Sequence, residues 1–156
     1  MAKAAKEETK VTEMENKIEK MTQFLADNKI ECFDIQKMDD EHHTTIFRSR
    51  MEVKGQLLPM ALLMDDSVYI ILQVQIAPQV IPEAKLPELA AAINNMNNNV
   101  RPFKFTVSEK GDFMLNACIT AENNTFNPVL LNAIIGEALK FLEAQYSNIM
   151  EAIWKK

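Results

Sequence analysis

The side chains best suited to chemistry lie in two short stretches of the sequence. His42 and His43 are adjacent, and adjacent residues on an extended chain point in opposite directions, so they do not form a pair of metal ligands. Asp65 and Asp66 stand between two strand-like segments, where aspartate is typical of a turn. We therefore interpret the histidines as solvated loop residues and the aspartates as turn residues.

Cysteine, glycine and arginine give no stronger signal of chemistry. Cys118 falls in a strand-like segment without a histidine near it in sequence, which favours a core or half-buried thiol over a nucleophile. The three glycines stand too far apart to form a phosphate-binding loop. Arg48 and Arg50 alternate along one strand and fit either exposed charges that discourage edge pairing, which is favoured, or an anion site. We expect no catalytic residue, cofactor or metal site.

Composition and charge exclude several classes of protein. With 156 residues, of which 47% are hydrophobic and 25% charged, the chain has the composition of one average globular domain. A net charge of −5 and only three arginines disfavour binding to nucleic acid, which needs clustered basic residues. Two lone cysteines, no apolar leader and no apolar run near the roughly 18–20 residues of a membrane span predict a cytoplasmic chain without a membrane partner.

Three consecutive strand-like segments form the centre of the predicted fold: residues 45–53, 57–64 and 68–76. A two-residue loop after the first segment predicts that Leu62 lies opposite Phe47. A three-residue loop after the second segment predicts that Ile70 lies beside Leu62. With this register one side of the meander carries no charge, so this side is expected to face the core.

The opposite side of the meander is less polar than a solvated side should be. Its outward apolar residues include Leu57, Leu63, Tyr69 and Ile71. A strand that is apolar on both sides is usually covered on both sides. The favoured explanation is another element of the same chain, such as a long helix, and the alternative is a dimer or partner interface. In the second case these four residues are the candidate partner-binding residues.

The residues before the meander predict a tail, a helix and an ambiguous stretch. Residues 1–11 are small and charged and are expected to be a disordered N-terminal tail. A helix is predicted over residues 12–28, with Thr12 as its N-cap and Glu15 at the spacing of a capping box. Residues 30–41 are ambiguous and suggest only a short extended piece.

The residues after the meander predict a helix, a hairpin and a long closing helix. The short helix is expected to stop at the asparagine run 94–99, because asparagine tolerates left-handed geometry. Gly111 at the third loop position of the hairpin fits a type I turn with a G1 bulge. Asn127 as N-cap and Pro128 at N1 then start a helix of about 27 residues. The result is one α+β domain over residues 12–156, with five antiparallel strands in the order α-β-β-β-α-β-β-α.

Several short stretches carry a family resemblance: the strand 68–76, the proline-rich break after it, the helix end 93–97, Phe103-Lys104-Phe105, the hairpin at Gly111 and the closing helix with Tyr146. In this order they resemble the YbjN family, described as bacterial sensory transduction regulators, and more broadly the type III secretion chaperone-like fold. The resemblance covers residues 12–154. It implies this fold, a tendency to dimerise and a role in holding or regulating other proteins, and it carries over no catalytic motif.

These expectations lead to a non-enzymatic protein-binding protein, chaperone-like or regulatory, that acts as a homodimer and holds a segment of a partner protein. The outward apolar side of the sheet or the long closing helix is its expected contact surface. The alternative is a small-ligand-binding domain or an enzyme with a pocket under the C-terminal helix. That alternative predicts convergent polar side chains in a cavity.

Overall fold

The computed structural model describes residues 16–155, which form an antiparallel sheet with helices. The α-helices are α1 (Lys17–Asp27), α2 (Leu86–Asn98) and α3 (Pro128–Trp154), and a 3₁₀-helix, Glu83–Lys85, directly precedes α2. The strands are β1 (Asp34–Lys37), β2 (Thr45–Val53), β3 (Gln56–Met64), β4 (Tyr69–Ala77), β5 (Lys104–Val107) and β6 (Phe113–Thr120). Their order across the sheet is β1-β2-β3-β4-β6-β5.

The hairpin of β2 and β3 confirms the predicted register. Lys54 and Gly55 form its two-residue loop with φ angles of 50° and 79°. Two positive φ values are what a type I′ turn requires, and this turn matches the twist of the flanking strands. Leu62 therefore lies opposite Phe47, as predicted.

The register between β3 and β4 differs from the prediction by two residues. Leu62 pairs with Leu72, not with Ile70. The loop is longer than expected because Val68 is not part of β4, and its carbonyl accepts a hydrogen bond from the backbone N–H of Ala121 at 2.7 Å. A shift of two residues leaves every side chain on its predicted side of the sheet.

The prediction of five strands is wrong, because the sheet has six. The additional strand, β1, lies at one edge and pairs with β2, with Ile35 opposite Phe47. All four residues of β1 are exposed, and they show no alternation of apolar and polar types. A pattern of alternation therefore gives no signal for this strand.

The core lies between one side of the sheet and the helices. Phe103 and Phe105 lie against Phe141 of α3, with ring centroids 5.5 and 5.7 Å apart, and Phe105 also lies 5.6 Å from Phe113. These distances are typical of favourable aromatic pairs. The buried side chains on this inner side of the four long strands are Phe47, Met51, Val53, Leu58, Met60, Leu62, Met64, Ile70, Leu72, Val74, Ile76, Phe113, Leu115 and Ala117.

The first described helix begins at a capping box. The Asn16 side chain accepts a hydrogen bond from the Glu19 N–H at 2.9 Å, and the Glu19 carboxylate accepts one from the Asn16 N–H. This pair satisfies two backbone donors at the helix start. The predicted start of this helix at residue 12 is therefore wrong, because Asn16 is its N-cap; Thr12 itself and the predicted tail lie outside the described residues.

The asparagine run ends α2, as predicted, at Asn98 with Asn99 as the C-cap, but Asn99 has a φ of −92° and not the left-handed geometry on which the prediction rested. The side chain of Asn97 accepts a hydrogen bond from the Phe105 N–H at 2.7 Å and donates one to the Phe105 carbonyl at 3.0 Å. Among residues 16–155, β6 is the one strand that pairs with β5. The Asn97 bonds therefore occupy backbone groups on the outer edge of β5, and α2 covers that edge of the sheet.

The hairpin of β5 and β6 confirms the predicted role of Gly111. Its φ is +86°, and its N–H donates to the Ser108 carbonyl at 2.9 Å, which closes the turn. The Gly111 carbonyl accepts hydrogen bonds from Val80 and Ile81, both at 3.1 Å. A Cβ at this position would lie 2.4 Å from the Ile81 oxygen, so this contact requires glycine.

The closing helix α3 also begins as predicted. The Asn127 side chain accepts hydrogen bonds from Val129 and Leu130 at 3.0 and 3.4 Å, and Pro128 occupies the first turn. Its 27 residues correspond to a length of about 40 Å. None of the helices in residues 16–155 combines the length and the hydropathy needed to cross a membrane.

Candidate functional site

The outer side of the sheet carries no helix within residues 16–155. On this side Leu57 is 58% exposed and Tyr69 is 50% exposed. The favoured explanation, that another element of the same chain covers this side, is therefore wrong for the described part of the chain. We call the surface formed by the outward residues of β1–β6 the open face.

Apolar side chains group at one end of the open face. Ile46 pairs with Leu63, Leu63 with Ile71, and Ile71 with Cys118, so these four residues form one row across the sheet. Tyr69 lies two residues before Ile71 on the same side. We call Ile46, Leu63, Tyr69 and Ile71 the apolar end. Cys118 is exposed here, contrary to the expectation of a core or half-buried thiol.

The fourth predicted contact residue, Leu57, lies apart from the apolar end. It pairs with Glu52 and is six residues from Leu63, which corresponds to about 20 Å along a strand. The paired segment of β3 and β4 ends at Met60, directly after Pro59, which has no N–H to donate. Leu57 therefore lies on the arm of the β2–β3 hairpin beyond the segment that pairs with β4.

Beside the apolar end, two arginines border a cavity of about 620 Å³. Arg48 pairs with Ala61 and Arg50 with Pro59, so small side chains of β3 form the floor next to each arginine. The volume falls in the range of about 300–1,000 Å³ that is usual for ligand sites. We call this cavity the arginine pocket, and its lining residues are Cys32, Asp34, Arg48, Ser49, Arg50, Pro59, Met60, Ala61, Gln73, Gln75 and Met114.

The arginine pocket is lined by two arginines and one aspartate, so positive charge is in excess there. Within residues 16–155, no carboxylate oxygen lies within 4.0 Å of either guanidinium group. Arg48 makes one long hydrogen bond, from Nε to the Gln36 side chain at 3.4 Å. Asp34 lies at the rim, opposite Arg48 in the β1–β2 ladder. Guanidinium groups with free N–H donors are well suited to bind carboxylate or phosphate groups.

The histidines and aspartates are loop residues, as predicted. His42 and His43 are exposed, and His43 Nδ1 lies 2.6 Å from Asp66 Oδ2. This hydrogen bond and the charge of Asp66 raise the pKa of His43. Hydrogen bonds donated by Ser67 hold the pKa of Asp65 below its usual range, which is typical of an aspartate in a turn. No group of three or more His, Cys, Asp or Glu residues in the described part of the chain is arranged to hold a metal ion.

Lys17 is a buried residue that sequence reasoning missed. Its side chain is 2% exposed, and its amine donates hydrogen bonds to the carbonyls of Ser67 and Tyr69. Burial lowers the pKa of Lys17, although Asp65 and Asp66 act in the opposite direction. A lysine in an amphipathic helix gives no sequence signal of burial. The amine fixes α1 to the loop before β4 and so holds Tyr69 in place.

A smaller cavity of about 290 Å³ lies beside α3. It corresponds to the pocket under the C-terminal helix that the alternative function requires. Its lining contains amide, apolar and aromatic side chains but no acid, base or thiol, so it offers no group for acid–base or nucleophilic catalysis. The lining residues are Asn95, Met96, Asn99, Val100, Phe105, Phe141 and Gln145.

No protein-family model matches this sequence, and no curated protein is significantly similar to it. The resemblance to the YbjN family therefore stays an expectation from the sequence. The open face and the arginine pocket are interpreted from their geometry alone.

Proposed function

We propose that this chain is a non-enzymatic protein-binding protein, chaperone-like or regulatory, that holds a segment of a partner protein on its open face. The supporting observation is the apolar end, where Leu63, Ile71 and Tyr69 lie together on a side of the sheet without a covering helix. An antiparallel sheet commonly has one solvated side, but that side is then polar. An apolar group on an uncovered side is typical of a protein interface.

The apolar end is too small to hold a partner by itself. The exposed half of the Tyr69 side chain corresponds to about 100 Å², which is worth about 2.5 kcal/mol when it is buried. Micromolar affinity requires about 8 kcal/mol beyond the cost of association. The partner segment must therefore extend beyond the apolar end, and the adjoining part of the open face is the arginine pocket.

The proposal includes a homodimer, which the resemblance implies. Exposed apolar side chains at both ends of α3 support a contact surface for a second copy: Val129 is 61% exposed, Leu130 58% and Trp154 61%. α3 packs on the inner side of the sheet, through Phe141 against Phe103 and Phe105. A second copy on α3 would leave the open face available to the partner.

The partner surface can be tested by site-specific photo-crosslinking in the host cell. A benzoylphenylalanine in place of Tyr69 is expected to crosslink a discrete partner, whereas the same group in place of Glu137, exposed on α3, is not. The substitution Ile71→Lys, introduced beside the crosslinker, should abolish that product because it puts a charge on the apolar end. The same partner crosslinked from position 137 and not from position 69 would contradict the proposal.

The homodimer can be tested by light scattering of the full chain. The expected mass is twice 17.8 kDa. The double substitution Leu130→Glu and Trp154→Glu should give a monomer, and Tyr69→Glu should leave the dimer intact. A monomer at all concentrations, or a dimer that only Tyr69→Glu disrupts, would contradict this part of the proposal.

A further inference from the structure

We infer that the partner segment is acidic and places two carboxylate side chains, two residues apart, against Arg48 and Arg50. This inference rests on the proposed function and adds the chemistry of the partner. Three features of the arginine pocket support it: the spacing of the arginines, the shape of the cavity and the excess of positive over negative charge in its lining.

The spacing of the arginines matches that of alternate residues in an extended peptide. Arg48 and Arg50 point to the same side of β2, about 7 Å apart along the strand. Alternate side chains of an extended peptide have the same separation and also point to one side. Each arginine can bind one carboxylate through two parallel N–H donors. A segment with two acidic residues separated by one other residue therefore fits the pair.

The shape of the cavity leaves room for such a segment. Ala61 and Pro59 are the small residues opposite the arginines, and the next strand over carries Gln73 and Gln75. Two strand spacings separate the arginines from these glutamines, which is about 10 Å. Glutamine side chains both donate and accept hydrogen bonds, so they suit the backbone of a bound peptide. The arginines face the acidic side chains across a floor without bulky groups.

The charge of the site favours an acidic partner over others. The chain has a net charge of −5, and its overall field repels acidic peptides. The open face nevertheless gathers two of the three arginines of the chain, and neither is paired with a carboxylate in the described residues. Charges that discourage edge pairing belong on edge strands. β1 pairs with residues 45–48 of β2, so the explanation favoured by the sequence does not apply to Arg48, whereas Arg50 lies just past the paired segment.

The apolar end defines a third position of the motif. Ile46, Arg48 and Arg50 alternate along β2 on the open face. A peptide whose carboxylates contact the arginines therefore brings a residue two positions from the nearer acid against Ile46 and Leu63. An apolar residue at that position would bury apolar surface on both sides. The expected motif is one apolar and two acidic residues, at alternate positions.

The test is a peptide-binding measurement on the full chain by fluorescence anisotropy. The probe is a labelled peptide in which a leucine and two glutamates alternate with threonines, and the control peptide has glutamines in place of the glutamates. We expect the acidic peptide to bind about tenfold more tightly than the control, and its binding to weaken with added salt.

Two matched double variants show which arginines bind the acidic peptide. The double substitution Arg48→Gln and Arg50→Gln is expected to weaken binding of the acidic peptide about tenfold. The double substitution Arg101→Gln and Lys110→Gln removes the same charge from exposed positions elsewhere and is expected to change binding less than about twofold. Melting curves of both variants show whether each remains folded.

The outcomes separate this inference from the proposed function. Equal binding of acidic and control peptides, with amide shifts on the open face in NMR spectra, would overturn the acidic partner but support protein binding there. Equal losses in the two double variants would overturn the role of Arg48 and Arg50. Displacement of the peptide by free glutamate or inorganic phosphate at similar concentrations would overturn a peptide partner. Shifts confined to amides outside the open face would overturn the inference.

Discussion

The two sides of β3 place the same type of residue in opposite environments. Leu62 points to the inner side and is 0% exposed, whereas Leu57 points to the open face and is 58% exposed. Helices and aromatic side chains fill the space on the inner side, and no described element does so on the outer side. The contrast indicates that the inner side supplies the free energy of folding and that the apolar residues of the open face are available for contacts with other molecules.

The largest expected effect is the difference in unfolding free energy between alanine substitutions of these two leucines. Leu62→Ala removes buried methyl groups and leaves a cavity, so it should lower the free energy of unfolding by about 3–5 kcal/mol. Leu57→Ala should change it by less than about 0.5 kcal/mol. Urea unfolding of the two variants measures both values. Equal losses of unfolding free energy in the two variants would contradict the contrast between the two sides, because they would show that the outer side is covered in solution.

The glycines of two hairpin loops give the next largest difference in stability, because one is packed against the chain and the other is open to solvent. Gly111→Ala should cost about 2–3 kcal/mol, because its φ is +86° and the new Cβ meets the Ile81 carbonyl on the inner side. Gly55 also has a positive φ, +79°, but a Cβ there would have nothing within 4 Å. Gly55→Ala is therefore expected to cost only the backbone strain of about 1 kcal/mol. Thermal unfolding of both variants tests the difference. Similar losses would mean that the Ile81 backbone moves aside.

Two neighbouring asparagines of α2, one bonded to the edge strand β5 and one exposed, give a smaller expected effect. Asn97→Ala leaves the N–H and carbonyl of Phe105 without partners and should cost about 1–2 kcal/mol. Asn98→Ala, an exposed neighbour in the same helix, should be neutral or slightly stabilising because alanine favours helix. Hydrogen exchange of the Phe105 amide should become faster in the first variant only. Unchanged exchange would show that α2 does not protect this edge.

The smallest effect is a pH dependence in the loops at the end of the sheet, where both sides are exposed. Asp66→Asn should lower the pKa of His43, measured by NMR titration of its ring, because the hydrogen-bonded carboxylate raises it. Because the pKa of His43 is higher in the folded than in the unfolded protein, protonated His43 stabilises the fold. This contribution is fully present below pH 6.5, the unfolded pKa, and is lost as the pH rises through the folded pKa. The melting temperatures of the protein and the variant should therefore differ more in acid than in alkali.

Asp39→Asn, in the neighbouring loop, is the control for this titration. Asp39 is not among the groups that raise the pKa of His43. An equal fall of the His43 pKa in both variants would show that net charge, and not the contact with Asp66, is responsible.

Local turn chemistry explains how much of the fold could be predicted. Lys54 and Gly55 impose a two-residue turn, so the register of β2 and β3 followed from the sequence. The β3–β4 loop has no such constraint, because Val68 bonds to Ala121, 53 positions later in the chain. The edge strand β1 was missed for a different reason, because its four exposed residues show no alternation of apolar and polar types. The wrong predictions therefore fall where a residue far along the chain fixes a loop, or where a strand carries no alternating pattern.

The candidate site was likewise predictable in part. Alternation placed Leu57, Leu63, Tyr69 and Ile71 on one side of the sheet, and the structure confirms this. Alternation gives the side but not the separation along the strand, so it grouped Leu57 with residues about 20 Å away. The β3 floor beside Arg48 and Arg50 follows from the predicted register, but the rest of the arginine pocket was not predictable: Gln73 and Gln75 depend on the β3–β4 register, and Asp34 belongs to the unpredicted strand β1.

The covered edge of β5 limits how copies of this protein can associate. A sheet with two free edges can accept new strands on both sides, and repeated addition gives a fibril. Within residues 16–155, Asn97 and α2 occupy one edge, and β1 is the edge strand without a second partner. Pairing of β1 with β1 of another copy would use the free edge of both molecules. Strand addition at β1 would then stop at two copies, and this contact is separate from the proposed dimer contact on α3.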